Sequence, residues 1–193
     1  MGTFMLFEDF VEADDLLEDY SSGGGSTTRE NQPGGAVLLA TGASASSYRG
    51  LRSVTKGFRL QNGMQFGARL VPLQSARQEI TIGVGDLSGN AVVANRSDGA
   101  SPGTWAIVTQ VNSGTYNYAY SSVVGAEDAE IEVAVAADSI RIDLFINGVL
   151  VATLTDRTKI PASLLGWFFM RVLTNEAVVK QMGLDYVWAA GVR

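Results

Sequence analysis

The chain has 193 residues but no cysteine and no histidine. The first absence excludes disulfides, thiolate metal sites and a cysteine nucleophile. The second excludes Ser-His-Asp and Cys-His hydrolysis, both of which need an imidazole base, and it removes the usual ligand of catalytic zinc. No cofactor or metal is therefore expected. Lysine is scarce too: Lys56, Lys159 and Lys180 are the whole supply. With a net charge of −6, the chain offers neither a polybasic membrane patch nor attraction to phosphate backbones, so membrane and direct nucleic-acid partners are not expected. No apolar run approaches the roughly 20 residues of a membrane span. The N-terminus carries acids where a secretory signal would be basic, and Leu6 stands where a myristoylation signal needs Ser or Thr. Proline is rare at 4 residues and glycine common at 22, so turns fall mainly to glycine.

What is present is alternation. In 129–154, AEIEVAVAADSIRIDLFINGVLVATL, three strands follow one another. Ile140, Ile142, Leu144 and Ile146 fall on one face. Asn147-Gly148 suits a two-residue type I′ turn, which would set Ile146 opposite Val149 and Leu144 opposite Val151. The same period of two recurs elsewhere. Met64, Phe66, Ala68 and Leu70 share a face, as do Ile80, Ile82 and Val84. So do Trp105, Ile107, Thr109 and Val111, and so do Tyr116, Tyr118 and Tyr120. Residues 164–173 are nearly all apolar, which fits one doubly buried strand or two pieces split at Gly166. The last strand spans 178–188, with Met182, Leu184, Tyr186 and Trp188 aligned. About a dozen short strands with glycine turns, and no long segment of period 3.6, predict an all-β antiparallel sandwich.

At the N-terminus, Phe4, Leu6, Phe7 and Phe10 read as a strand that docks on the body. Leu16 and Leu17 lie in an acidic stretch that suits a solvated connection or a short helix. The run SSGGGS over 21–26 looks like a linker or a wide turn. These features divide the chain into an N-terminal strand and linker-like segment, 1–28, packed on or extending from the body, and a sandwich domain, 29–193.

Several motifs in this order resemble a known family. Phe7-x-Asp9-Phe10 opens the chain. Gly35-Ala36-Val37-Leu38-Leu39 leads to Tyr48-x-Gly50-Leu51, and Gln65 to Leu70 forms a long middle strand. The hairpin around Asn147-Gly148 follows, then Ile160-Pro161, and finally Leu184-Asp185-Tyr186. The pattern resembles concanavalin A-like jelly rolls of the lectin, laminin-G and glucanase type, and within them the small structural domains of tailed bacteriophages. That resemblance covers roughly 4–189. It implies a non-enzymatic virion protein on the outer capsid surface or tail: a capsid decoration or cement protein that stabilises the assembled shell. Other virion proteins, foremost the major capsid protein, would be its partners, and the role implies a homo-oligomer, with a trimer at a three-fold position as one form. The alternatives are a carbohydrate-binding tail or fibre module and a glycan hydrolase.

Residue by residue, three sites bear on these readings. Asp128, Glu130 and Glu132 lie at i, i+2 and i+4 on an expected strand, so their carboxylates share a face. Retaining glucanases of the resembling fold carry a similar triplet, and retention needs carboxyls about 5–5.5 Å apart. A charged outer face is the other reading. Tyr116, Tyr118 and Tyr120 form either a sugar-stacking platform or an interface, because tyrosine joins an apolar body to a polar tip. Phe4, Leu6, Phe7, Phe10, Leu16 and Leu17 are the interface residues expected of an arm. Trp105, Trp167 and Trp188 are expected in the core. Asp86, Asn90 and Asp98 could hold calcium through oxygen ligands, although turn chemistry explains them as well.

Overall fold

The computed structural model describes residues 3–8, 16–30, 36–73, 77–86, 88–97, 103–124 and 130–192. Phe10, Asp98 and Asp128 lie outside the described residues, as does the side chain of Phe4. In chain order the strands are β1 (Thr3–Glu8), β2 (Leu17–Ser22), β3 (Gly25–Glu30), β4 (Ala36–Thr41), β5 (Tyr48–Ser53), β6 (Phe58–Arg59), β7 (Met64–Pro72) and β8 (Gln78–Gly85). They continue as β9 (Ala91–Ser97), β10 (Thr104–Gln110), β11 (Asn117–Val124), β12 (Ile131–Ala137), β13 (Ile142–Ile146), β14 (Val149–Leu154), β15 (Leu165–Thr174) and β16 (Gln181–Val192).

Two antiparallel sheets face each other. Sheet A runs β14-β13-β12-β7-β16-β4-β3, with β1 also paired to β16. Sheet B runs β11-β10-β9-β8-β15-β5-β2, with β6 also paired to β15. This is the jelly-roll sandwich expected from the alternation. The period of two does the work: each strand sends one set of apolar side chains between the sheets. Phe66 on β7 meets Phe168 on β15 across that layer, ring centroids 6.3 Å apart, and Phe168 also meets Phe58 at 6.3 Å. Val133, Ile82, Ile107, Leu39 and Leu184 fill the space around them.

The described parts of the first 28 residues are woven into both layers. β1 pairs with the end of β16 in sheet A, β2 with β5 in sheet B, and β3 with β4 in sheet A. Gly23 and Gly24, at φ 77° and 84°, make the turn that carries the chain from one sheet to the other. The acidic stretch around Leu17 is a strand, β2, rather than a helix or a free connection. Its pairing with β5 outweighs the local preference of Glu18 and Asp19, and both acids bond arginines of β5: Arg52 Nε donates to Glu18 and Arg49 Nη2 to Asp19, each at 2.7 Å.

Two register expectations change. Leu144 pairs with Ala152, not Val151, because the β13–β14 ladder shifts between Leu144 and Phe145. In β16 the ladder to β7 slips at Asp185, so Leu184 pairs with Leu70 while Tyr186 pairs with Arg69. One extra residue reverses the alternation. Met182 and Leu184 face the core, as do Val187 and Ala189, whereas Tyr186 and Trp188 face outward. Of the three tryptophans only Trp105 is in the core. Trp167 and Trp188 are half-buried on outer faces. The 164–173 run forms one strand, β15, with alternating exposure.

Candidate functional site

The outer face of sheet B carries a groove of about 460 Å³. Strand register builds it in two cross-strand rows. One row is Tyr120, Ala106, Asn95, Thr81 and Arg171, on β11, β10, β9, β8 and β15. The next is Tyr118, Val108, Val93, Gly83 and Phe169 on the same strands. Four strand spacings of about 4.8 Å give the groove a length of ~19 Å. Its direction is across the strands.

Small residues keep the floor low. Gly83 has no room for a side chain: a Cβ there would sit 2.3 Å from Val93 Cγ1 and 2.5 Å from the Val92 carbonyl oxygen. Val93, Ala106 and Val108 pack together as a separate apolar cluster, with Ala91 and Phe169 against it. Above Ala106 and Val108 stand the tyrosines. Tyr118 and Tyr120 occupy alternate positions on the edge strand β11, so their rings project on the same side. The rings are parallel, 4° apart in plane, with centroids 5.5 Å apart. Tyr118 is 49% exposed and Tyr120 53%. Burial within the stack, and next the neighbouring Tyr120, push the Tyr118 hydroxyl above its ordinary pKa, so the Tyr118 hydroxyl stays protonated and able to donate at neutral pH. Tyr116, before β11, is also exposed and lines the groove.

The polar groups of the floor form a chain. Asn95 Nδ2 donates to Thr81 Oγ1 at 3.2 Å, and Thr81 Oγ1 donates to Glu79 Oε1 at 3.3 Å. Arg171 Nη2 lies 3.4 Å from the same Glu79 oxygen and its guanidinium lies over the Tyr48 ring at 5.6 Å. Beyond Arg171 the row continues to Gly50 and Tyr20. The Tyr20 ring lies over Gly50, where a Cβ would meet its Cε1 at 2.6 Å, and meets Phe169 edge-on at 6.4 Å. Burial raises the Tyr20 hydroxyl well above the ordinary tyrosine range. Aromatic rings thus bound both ends of the groove.

Neighbouring turns fix the tyrosine end. Asp86 accepts from the backbone N–H of Ser88 and Asn90, and Asn90 accepts from the N–H of Asn112 at 2.9 Å. The expected calcium residues Asp86 and Asn90 are thus joined by turn hydrogen bonds that tie the β8–β9 turn to the loop before Tyr116. Among the described residues no acidic group forms a metal-ion cluster.

The two described acids of the triplet are elsewhere. Glu130 precedes β12 and Glu132 lies within it, on the outer face of sheet A, the opposite side of the sandwich from the groove. Arg69 Nη2 donates to Glu130 Oε2 at 2.7 Å, and this bond raises the Arg69 pKa. Glu132 pairs across the ladder with Arg69. Of the expected arm interface, Leu6 points into the core and Leu17 packs against it, while Phe7 and Leu16 are exposed. Leu6 is therefore corrected to a core residue and Leu17 to a half-buried one against the core, because β1 and β2 are sheet strands whose alternate side chains turn inward.

Glu79, Thr81, Asn95, Phe169 and Arg171 were not singled out from sequence. Glu79 and Thr81 alternate with Ile80 and Ile82, which marks them as the outer set of their strand. Phe169 and Arg171 sit in an apolar run that gives no such signal.

No family model matches the chain, and no curated protein matches it. Among solved structures, a protein of unknown function from Shewanella oneidensis superposes with a TM-score of 0.73 at 11% identity, covering 98% of this chain and 86% of the other. A β-glucanase from Bacillus licheniformis gives 0.71 at 15% identity, covering 98% of both chains. The potassium-bound carbohydrate recognition domain of Emp46p gives 0.67 at 8% identity, covering 94% of both. At these identities the likeness is one of fold: this chain has the concanavalin A-like β-sandwich that glucanases and a carbohydrate recognition domain also have.

Proposed function

We propose that this chain binds a linear glycan in the sheet B groove without cleaving it. The observation that carries the reading is the parallel Tyr118–Tyr120 pair standing half-exposed over a floor of small apolar residues. Flat aromatic faces and edges suit the C–H-rich faces of pyranose rings, and the Asn95, Thr81, Glu79 and Arg171 chain supplies donors and acceptors for hydroxyl groups. The ~19 Å length across five strands accommodates several sugar units in a row.

Binding is favoured over hydrolysis by the carboxylates. Glycosidases of either stereochemistry use a facing pair of carboxyl groups. Among the described residues that line the groove, Glu79 is the one acid, and Arg171 and Thr81 engage its Oε1. Glu130 and Glu132 lie on the opposite face. The virion setting rests on the sequence resemblance alone and carries no part of this proposal.

The test is affinity electrophoresis through gels containing soluble β-glucan, xylan or mannan. Retardation of the wild type by at least one polysaccharide, abolished in Tyr118→Ala, is the expected result. Equal mobility of wild type and variant in every gel sinks the proposal. Release of reducing ends from the retarding polysaccharide by wild-type protein would replace it with the hydrolase reading.

A further inference from the structure

We propose that the outer face of sheet A is a self-association surface, on which a second copy of this chain packs about a two-fold axis parallel to the strands between β7 and β12. The face carries a continuous apolar row across six strands. Phe7 on β1 pairs with Trp188 on β16, Trp188 with Gly67 on β7, Gly67 with Ala134 on β12, Ala134 with Phe145 on β13, and Phe145 with Leu150 on β14. An antiparallel sheet open to water on one side normally fills such positions with polar residues. Here Phe7 is 50% exposed and Leu150 47%. The Trp188 indole lies across Gly67, where a Cβ would come within 2.9 Å of Nε1, so the ring covers the sheet instead of projecting from it.

The occupant is argued from the order of the row. A two-fold axis between β7 and β12 exchanges β7 with β12, β16 with β13, and β1 with β14. It sets Gly67 against Ala134, Trp188 against Phe145, and Phe7 against Leu150 of the other copy. The Trp188 indole that covers Gly67 thus meets the small Ala134 of the other copy beside the axis, and Phe7 meets Leu150 outside it. The adjoining charged row obeys the same operation. Arg69 and Glu132 are cross-strand partners on β7 and β12, so the axis places each arginine opposite the other copy's glutamate. The row beyond places Gln65 opposite Ala136 and Ala190 opposite Asp143. Glu130 and Asp185, which also contact Arg69, add acids at the rim of this row, while the apolar row itself is self-complementary, as an isologous interface must be. Six strands at ~4.8 Å and three rows at ~6.8 Å cover ~580 Å² per copy. The total of ~1,200 Å² is at the lower end of stable interfaces.

Sedimentation of the full chain from ~1 µM to ~1 mM tests this, with a dimer of micromolar dissociation constant expected. Phe7→Asp and Leu150→Lys each weaken association at least ~10-fold. The two sites lie at opposite ends of one row but face each other across the axis, so the double variant recovers to within ~3-fold of wild type. Both side chains are exposed, and circular dichroism melts identify any variant that unfolds. Ala134→Arg, placed beside the axis, serves as a second disrupting variant. A wild type that stays monomeric throughout, or folded single variants whose losses merely add in the double, overturns the proposal.

Discussion

Because Tyr118 and Tyr120 stack on each other, they should act on a ligand as one body, and a double-mutant cycle can measure this. Each ring is about half-buried. A fully buried tyrosine removes roughly 150–250 Å² from water, so half-burial amounts to ~100 Å². At about 25 cal/mol per Å², each Tyr→Ala change then costs at most ~2.5 kcal/mol of folding stability, an upper bound because the unfolded chain already hides some area. The parallel contact at 5.5 Å adds a coupling of ~0.5–1.5 kcal/mol between them. Urea melts of wild type, Tyr118→Ala, Tyr120→Ala and the double variant should show that coupling as a double-variant loss smaller than the sum. Binding should be still less additive. Losing either ring frees the other to tilt away from the floor, so each single variant should lose at least ~10-fold in affinity and the double little more. Calorimetric titration with the polysaccharide that retards the wild type supplies the numbers. Additive binding losses would show two independent platforms and refute the argument from the stack.

Three further outcomes follow from the geometry. Phe168→Ala, removing a fully buried ring that bridges Phe58 and Phe66, should lower stability by about 3–5 kcal/mol in urea melts without changing groove affinity in the folded protein. Gly89→Ala should cost at least about 1 kcal/mol, because Gly89 has a φ of 73° and a Cβ would lie 2.6 Å from the Ser113 backbone. Hydrogen exchange should then quicken in the loop before Tyr116, and no change there would separate that loop from the β8–β9 turn. Glu176 accepts from the buried Lys180 at 2.6 Å, and this bond lowers its pKa below the usual 4.5. The stabilisation is present above the unfolded pKa and is lost as pH falls through the lower folded value. Glu176→Gln should therefore flatten the acid limb of stability against pH below about 4.5 and leave a nearly constant offset above it.

The fold was legible because a period of two survives in single strands. Phe66, Ala68 and Leu70 had to face one way, as did Ile80 and Ile82, and both sets are buried. What alternation cannot encode is a bulge. Asp185 in LDY carries no mark that it would be the extra residue, and it alone moves Tyr186 and Trp188 from the expected core to the outer face. The site was half legible for a related reason. Tyr118 and Tyr120 announce themselves by spacing within one strand. Their neighbours across the floor come from chain positions far apart: Asn95 is 25 residues before Tyr120, and Arg171 is 51 after it. Only the strand order of sheet B brings them into one row. The acids at 130 and 132 show the converse. Their spacing alone sets which residues alternate together, but which of two sheets holds β12 is a topological fact that local spacing does not contain.

The two proposed surfaces constrain each other. The groove lies on the outer face of sheet B and the self-association face on the outer face of sheet A, so in the dimer the grooves point in opposite directions. Four stacked sheets about 10 Å apart separate the grooves by ~30 Å. Such a dimer cannot seat both grooves on one flat surface, so it gains no avidity there. It can instead bridge two glycan chains. Wild-type protein above its dimerisation constant should therefore precipitate or gel a soluble polysaccharide that it binds, as turbidity reports. Ala134→Arg should keep the single-groove affinity and lose the turbidity. Tyr118→Ala should lose both. If Ala134→Arg stays folded, runs as a monomer and still clouds the polysaccharide as wild type does, each chain carries a second glycan contact of its own, and bridging does not come from pairing through sheet A.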